Sequence, residues 1–467
     1  MERRLVVATE CPTCGASLDF TEGSNAVRCP YCQSRLLVTG RKQALSYYVE
    51  PKVAPGDATR TAWNACRGKG WRCRVRDAER YFVPYYRLTG HDLRWERAEP
   101  KRKPLCGNER KLRRELAALA LQSAAASAPS ALRAMRPIAT QQPSGRLRDR
   151  YVDRNFLACR LGSAELYSLG IRLAVLRLRL LRTDALRKLG RIVATDLEPQ
   201  AAVAQGMETA AFMTNILERK VLGRLLSVVY YPFCVLDLAY GGETKLGIVD
   251  GVSGTVVTLD LPLSIREVLR REPKGDPESV AFRPLVCPNC GWDLPVEPEH
   301  VVFFCASCER AWQIHGRELR NIKYQIAAVA KASAEQSTSL RYLPFWVMKL
   351  GRRKRPARFY VPAFHYRRLK VLVDLARDIS GGDRSYATRS GTGLDLQGCY
   401  YDQEDAVCMA EITYPGLTHE PERTIEQLRN DPLALSGPTL TWFPFHIEGQ
   451  SLRAPFTRRA INQRLLL

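Results

Sequence analysis

"CPTCGASLDFTEGSNAVRCPYC" occupies Cys11 to Cys32, and "CPNCGWDLPVEPEHVVFFCASC" occupies Cys287 to Cys308. The four cysteines of one stretch each stand 276 residues from their counterparts in the other, so the internal spacing is identical. A Cys-x-x-Cys places two thiolates on one tight turn, and two such turns complete a tetrahedral shell of four. The loop between the turns is 14 residues in both copies. That is just under the usual range, so each unit should be a compact zinc ribbon, two knuckles on hairpins. Gly15 and Gly291 follow the second ligand, where a positive φ lets backbone N–H groups turn toward the sulfurs.

The expected ligands are Cys11, Cys14, Cys29 and Cys32 for one Zn2+, and Cys287, Cys290, Cys305 and Cys308 for a second. Four thiolates leave no open coordination position, so both zincs should be structural. A unit this small cannot bury a sufficient core, and the metal should supply about 10–16 kcal/mol of apparent folding energy. The two sites are expected to fold separately. His300 and His315 lie near the second unit and read as surface or packing residues, because four sulfurs already satisfy the ion. Each tetrathiolate centre carries −2, so two of them bring the chain from +23 to about +19.

The chain has 467 residues, long enough for two to four domains. Its 45% hydrophobic and 25% charged residues are those of a globular protein. With 71 Lys and Arg against 48 Asp and Glu, the expected partner is acidic: an acidic protein first, DNA or RNA as the alternative. No segment approaches the ~18 apolar residues of a membrane span. The apolar run Leu5 to Ala8 is too short for a secretory signal, which points to a cytoplasm with reduced thiols. Cys66, Cys73, Cys106, Cys159, Cys234, Cys399 and Cys408 then read as small apolar residues or harmless thiols.

A second phrase recurs: "FVPYY" (Phe82–Tyr86), "YYPFC" (Tyr230–Cys234), "YLPFW" (Tyr342–Trp346), "YVPAF" (Tyr360–Phe364) and "WFPFH" (Trp442–His446). Aromatic and β-branched surroundings indicate strands, with each proline at an edge, a strand start or a bulge. The aromatics read as core rather than as stacking platforms for bases. "SVVYYPFCVLDLAY", "TKLGIVD" and "TVVTLDL" form a three-stranded meander. "YLPFWVMKL" and "RFYVPAFHY" form a hairpin.

Both repeats together predict an α+β chain, a diverged tandem duplication of a ribbon-plus-α/β unit. The expected parts are ribbon 1 (1–40) and an α/β module with the Pro84 strand (41–99). A helix-rich insertion (100–225) follows, with a linker near 129–146. After it come the meander (226–275), ribbon 2 (283–318) and a C-terminal α/β module with the Pro344, Pro362 and Pro444 strands (319–467). Within the insertion, "GIRLAVLRLRLL" reads as a half-exposed strand. "LEPQAAVAQGMETAAFMTNILERKVLG" reads as a helix that ends at glycine.

The ribbon "CPTCGASLDF…CPYC", the "PFW"-type strands and "YYPFCVLDLAYGGETKLGIVDGVSGTVV" resemble a group of uncharacterised bacterial double zinc-ribbon proteins. These are often labelled after the primosomal replication-restart helicase. The resemblance implies a fold. No G-x-x-x-x-G-K-[ST] loop for ATP phosphates is present.

No H-E-x-x-H, G-x-S-x-G or Rossmann glycine pattern appears, and the chain is expected not to be an enzyme. The conceivable exception joins His365 and His446 with Cys234 or Glu448; strand histidines are the simpler reading. The densest basic tract, Lys349 to Lys370, holds nine Lys and Arg and no acid. Arg352, Arg353, Lys354 and Arg355 at the hairpin tip, with Arg358, Arg367, Arg368 and Lys370, are the expected contact for an anionic partner. The function expected is a non-catalytic zinc-binding scaffold or adaptor for an acidic partner; the alternative is a sequence-tolerant nucleic-acid binder.

Overall fold

The computed structural model describes residues 5–39, 45–97, 145–161, 177–207, 215–273, 280–328, 339–351, 356–382, 385–389, 394, 396–457 and 459–466. Helices and strands are mixed, and two strand pairs carry the proline phrases. In the first half, Arg74–Glu96 (23 residues) lies antiparallel to Ile216–Tyr240 (25 residues). In the second half, Leu340–Leu350 lies antiparallel to Leu435–Glu448.

The register is the same in both pairs. Pro84 faces Tyr230 and Pro232 faces Phe82; Pro344 faces Trp442 and Pro444 faces Tyr342. Each proline therefore sits opposite the aromatic that stands two residues before the partner's proline. The flanking strands also correspond. A short strand after each ribbon, Leu45–Val49 or Tyr324–Ala327, runs parallel to the second proline strand. That second strand then turns back on itself, through Gly241–Gly242 in one half and Gly449–Gln450 in the other.

Pro362 stands on an edge strand, Arg358–Pro362, but Pro84, Pro232, Pro344 and Pro444 are not at the edge, strand start or bulge that the sequence suggested. They lie inside long strands, at points where one neighbouring strand stops and another starts. Pro232 falls between the pairs Tyr230–Tyr48 and Phe233–Asp250, and Pro444 between Trp442–Ile326 and His446–Arg453. Pro84 falls between Phe82–Ile192 and Tyr85–Leu157, and Pro344 between Tyr342–Leu396 and Phe345–Pro362. Proline has no N–H, so the gap costs no ladder bond. Its carbonyl is still used: Ala158, Gly251 and Ala363 each donate their N–H, at 2.9 Å, to Pro84, Pro232 and Pro344 respectively. Pro362 ends its strand, Arg358–Pro362, where a missing donor is harmless.

The aromatics of these phrases are core. Phe82, Phe345, Trp346, Tyr360, Phe364 and Phe445 are fully enclosed. The meander Ile216–Tyr240, Glu243–Asp250, Val256–Leu261 is present, as is the hairpin Leu340–Leu350 with Arg358–Pro362.

The region 197–223 departs from its expected helix. Among the described residues the helix is Pro199–Met207, and Ile216 onward is strand. Residues 216–222 pair with 91–96, and this ladder overrides local helix propensity. Arg146–Leu157, inside the expected helix-rich insertion, is also a strand and pairs with Tyr85–Glu96. Residues 98–144, which hold the start of the expected insertion and most of the linker near 129–146, lie outside the described residues.

Two main cores result. The first gathers Tyr47, Tyr81, Val83, Tyr231, Phe233 and their neighbours. The second packs the Pro344 and Pro444 strands against helices Leu369–Ser380 and Gln403–Thr413. The long first-half strands cross between them: Leu93, Trp95 and Leu222 belong to the second core. Trp95 Nε1 donates to the Ile412 carbonyl at 2.7 Å, and the Gly223 N–H donates to the Asp405 carboxylate at 2.9 Å.

Candidate metal centres

The first quartet stands on two turns. Cys11 and Cys14 occupy the turn between Val6–Glu10 and Ser17–Thr21, and Cys29 and Cys32 the turn between Ala26–Arg28 and Arg35–Thr39. The second quartet repeats this. The Val286–Asp293 bridge flanks Cys287 and Cys290, and Val302–Cys305 with Arg310–His315 carries Cys305 and Cys308. Registers match at the 276-residue offset: Val27 faces Leu36, and Phe303 faces Trp312.

The knuckles are superposable in their bonding. The Gly15 N–H donates to the Cys11 carbonyl and the Gly291 N–H to the Cys287 carbonyl, both at 2.8 Å. Both glycines have φ +73°, which a side chain would strain. Gln33 and Glu309, after the last ligand of each quartet, are also left-handed, at +62° and +52°.

All four sulfurs of each quartet lie within 4.8 Å of one another. The shortest approaches are Cys11–Cys32 at 3.7 Å and Cys14–Cys29 at 3.8 Å, then Cys287–Cys308 and Cys290–Cys305 at 3.6 Å. A disulfide needs ~2.05 Å. A tetrahedron with ~2.3 Å metal–sulfur bonds has edges of about 3.8 Å. The geometry is that of a four-coordinate metal shell, and two ions fit the chain. In each quartet one buried cysteine of the first turn and one of the second anchor the site, Cys11 and Cys29 or Cys287 and Cys305.

The electrostatics call for a cation. The Ser34 hydroxyl, 3.1 Å away, and its backbone N–H pull the Cys32 thiol down to about 6. Burial pushes the Cys287 thiol up, but the N–H groups of Cys290 and Asn289 outweigh it and bring it down to about 6. Their neighbours then resist ionising. The Ala16 N–H favours the Cys14 thiolate, yet Cys32 and the other sulfurs push Cys14 up to about 11. Burial, then the adjacent thiols, push Cys305 up to about 12. Four thiolates coexist only around a positive ion.

The expectation that the two ribbons fold separately is overturned. Ala281–Pro284, the strand leading into ribbon 2, pairs with Arg35–Thr39 of ribbon 1. The Asn25 side chain donates to the His300 carbonyl at 3.0 Å, and Arg35 donates to the Leu294 carbonyl at 3.1 Å. Ala26 and Leu37 from one unit share a core with Leu285, Cys287, Leu294, Phe303, Cys305 and Trp312 from the other.

A buried charge network ties ribbon 1 to the sheet. Arg87 forms both a bidentate pair with Asp153, at 3.0 Å, and an ion pair with Glu22; Ser227 donates to Glu22 at 2.6 Å. Burial raises the Glu22 carboxyl above its ordinary value against the pull of Arg87. No local pattern in the sequence marks these residues, because their partners lie far along the chain.

The remaining residues singled out in the sequence are placed as follows. His300 is a packing residue, its ring lying where any side chain at Gly398 would have to go. His365 Nδ1 lies 3.1 Å from Glu299, with its ring stacked on Tyr400. His446 faces Leu340 and Arg453. Cys234 is in the other sheet, facing Arg80 and Val249, so it does not join the two histidines. Burial pushes the Cys66 and Cys159 thiols up to about 12 and Cys408 to about 11, as for inert packing thiols. Cys106 lies outside the described residues, as do Arg352, Arg353, Lys354 and Arg355. Arg358 is exposed, its guanidinium 6.0 Å from the Tyr386 ring. The strand Arg358–Pro362 runs away from the tip, so Arg367, Arg368 and Lys370 follow its opposite end. Lys370 is paired with Asp374 at 3.1 Å.

Among the described residues, no helix is long and apolar enough to cross a membrane. No protein-family model matches the chain, and no curated protein or solved structure matches it either.

Proposed function

We propose that the chain is a non-catalytic scaffold or adaptor, braced by two structural Zn2+ ions, that holds an acidic protein partner. The observation that carries this reading is the pair of complete four-sulfur shells built into one shared core. Such a shell offers no open position to a water or substrate, so its chemistry is mechanical. The net charge of +23 selects an acidic partner. The proposed contact is Arg358 with residues 352–355 at one end of the strand Arg358–Pro362; Arg367 and Arg368 lie beyond its other end and are not part of it, and Lys370 is already paired with Asp374. The matching registers of the two halves, added to the constant cysteine offset, support a tandem duplication as the origin of this architecture.

Elemental analysis of the purified protein should find close to two zincs per chain and no ATP hydrolysis, with or without DNA. Affinity purification with nuclease present should retain an acidic protein that salt releases. Zinc-free folded protein, turnover of ATP, or loss of every partner on nuclease treatment would refute the reading.

A further inference from the structure

The strand Arg146–Leu157 lies at a sheet edge. It pairs with Arg74–Glu96 on one side, and among the described residues no strand pairs its other side. Its first residues meet the end of that neighbour, with Arg150 opposite Asp92, Arg148 opposite Arg94 and Arg146 opposite Glu96. Directly opposed residues share a face of the sheet, and Arg219, opposite Arg94 on the next strand, shares it too. The ion pairs agree: Arg219–Asp92 at 2.7 Å, Arg94–Glu96 at 2.6 Å and Arg148–Glu96 at 3.4 Å. These five arginines therefore meet two carboxylates on one face. Arg146, Arg148 and Arg150 stand exposed at its rim, and Arg146 and Arg150 have no carboxylate partner among the described residues.

The other face of the same edge differs. Leu147 stands opposite Trp95 and borders, with Trp95 and Val373, a cavity of about 300 Å3. The cations of that cavity's helix wall, Lys370 and Arg377, are both tied to Asp374, at 3.1 and 3.3 Å. Asp149, opposite Leu93 and exposed, also lies on this face. Positive charge is thus in excess on the arginine face only.

Charge on an edge strand ordinarily keeps other strands away. Here arginine faces arginine across two ladders, Arg148–Arg94 and Arg94–Arg219, and like charges directly opposed are destabilising. Such an edge repels basic strands and second copies of itself, but not a strand whose own charges are negative. Alternate residues of a strand stand about 7 Å apart, so the three rim arginines match every second residue of an added one. A nucleic acid would also meet the arginines, but its phosphates carry no N–H for the carbonyls of the free edge. We propose that an extended acidic segment of a protein partner pairs with the edge at residues 146–150. Its alternate carboxylates lie against Arg146, Arg148 and Arg150, and the apolar residues between them point to the Leu147 face. This rests on the scaffold reading and gives the acidic partner a contact separate from the one at Arg358.

The test uses the full-length, zinc-loaded protein and the anisotropy of a short fluorescein-labelled peptide that alternates Glu and Val. It should bind, and amide hydrogen exchange read by mass spectrometry should slow over residues 146–150. A peptide of the same composition with Glu and Val in separate blocks should bind more weakly, and one alternating Lys and Val should not bind. Arg146→Gln with Arg150→Gln removes two exposed ion pairs to the peptide and should weaken binding roughly 2- to 30-fold. Melting temperature should hold, because neither arginine has a carboxylate partner among the described residues. Arg146→Glu with Arg150→Glu should take up the Lys–Val peptide instead. Three results would overturn the proposal: no binding at low salt, binding without slowed exchange at 146–150, or unchanged affinity in both double variants. Equal affinity for the block and alternating peptides, with displacement of both by oligodeoxythymidine, would also overturn it and assign the face to nucleic acid. If the peptide fails while affinity purification still retains an acidic protein that salt releases, pairing at 146–150 falls and the scaffold reading stands.

Discussion

At Arg87 one guanidinium answers two carboxylates, Glu22 and Asp153, with the Arg87 and Glu22 side chains almost wholly enclosed. Removing one partner of a buried pair leaves the others desolvated and unpaired, so Arg87→Met should cost about 3–5 kcal/mol in urea unfolding. The Glu22 carboxyl titrates above its ordinary value when folded, chiefly because it is buried. The folded state therefore holds that proton to higher pH than the unfolded state does. Its stabilising contribution is full below the ordinary carboxyl range and is lost as pH rises through the raised value. Glu22→Gln should remove this loss. Melting temperature should then fall less, from mildly acid to neutral pH, in the variant than in wild type. An identical pH profile in both would mean Glu22 is not the group responsible.

At the scale of the element, proline is retained where a strand changes neighbours. Pro444→Ala would restore an N–H in the gap between Trp442 and His446, where neither flanking strand supplies an acceptor. An unsatisfied buried donor costs about 1–3 kcal/mol. The urea midpoint should fall accordingly with an unchanged m-value. The strands themselves were legible because each phrase declares itself within five residues. Their junctions were not, since they depend on partners such as Ile192 for Phe82 or Ile326 for Trp442. The same limit explains residues 216–222, helical by composition but paired with 91–96. The metal quartets were fully legible, because a ligand turn is encoded in four consecutive residues.

Across the whole molecule, the two metal shells are neighbours in one core rather than beads on a string. Cys14→Ser should therefore do more than empty its own site. Zinc at Cys287, Cys290, Cys305 and Cys308 should leave faster to a chelating indicator than it does from wild type. An unchanged release rate would show that the shared core does not transmit the loss. The same connectivity has a consequence for biosynthesis. Asn25 waits for His300, 275 residues later, and Trp95 waits for Ile412, 317 residues later. At ~5–20 residues per second, the second wait alone is roughly 16–60 s on the ribosome. Throughout it the growing chain carries an open sheet and uncovered aromatic strands, exposed to whatever shields nascent polypeptides. Metal capture by the first quartet needs no such wait, so an ion can be in place before the half of the protein that covers it has been made.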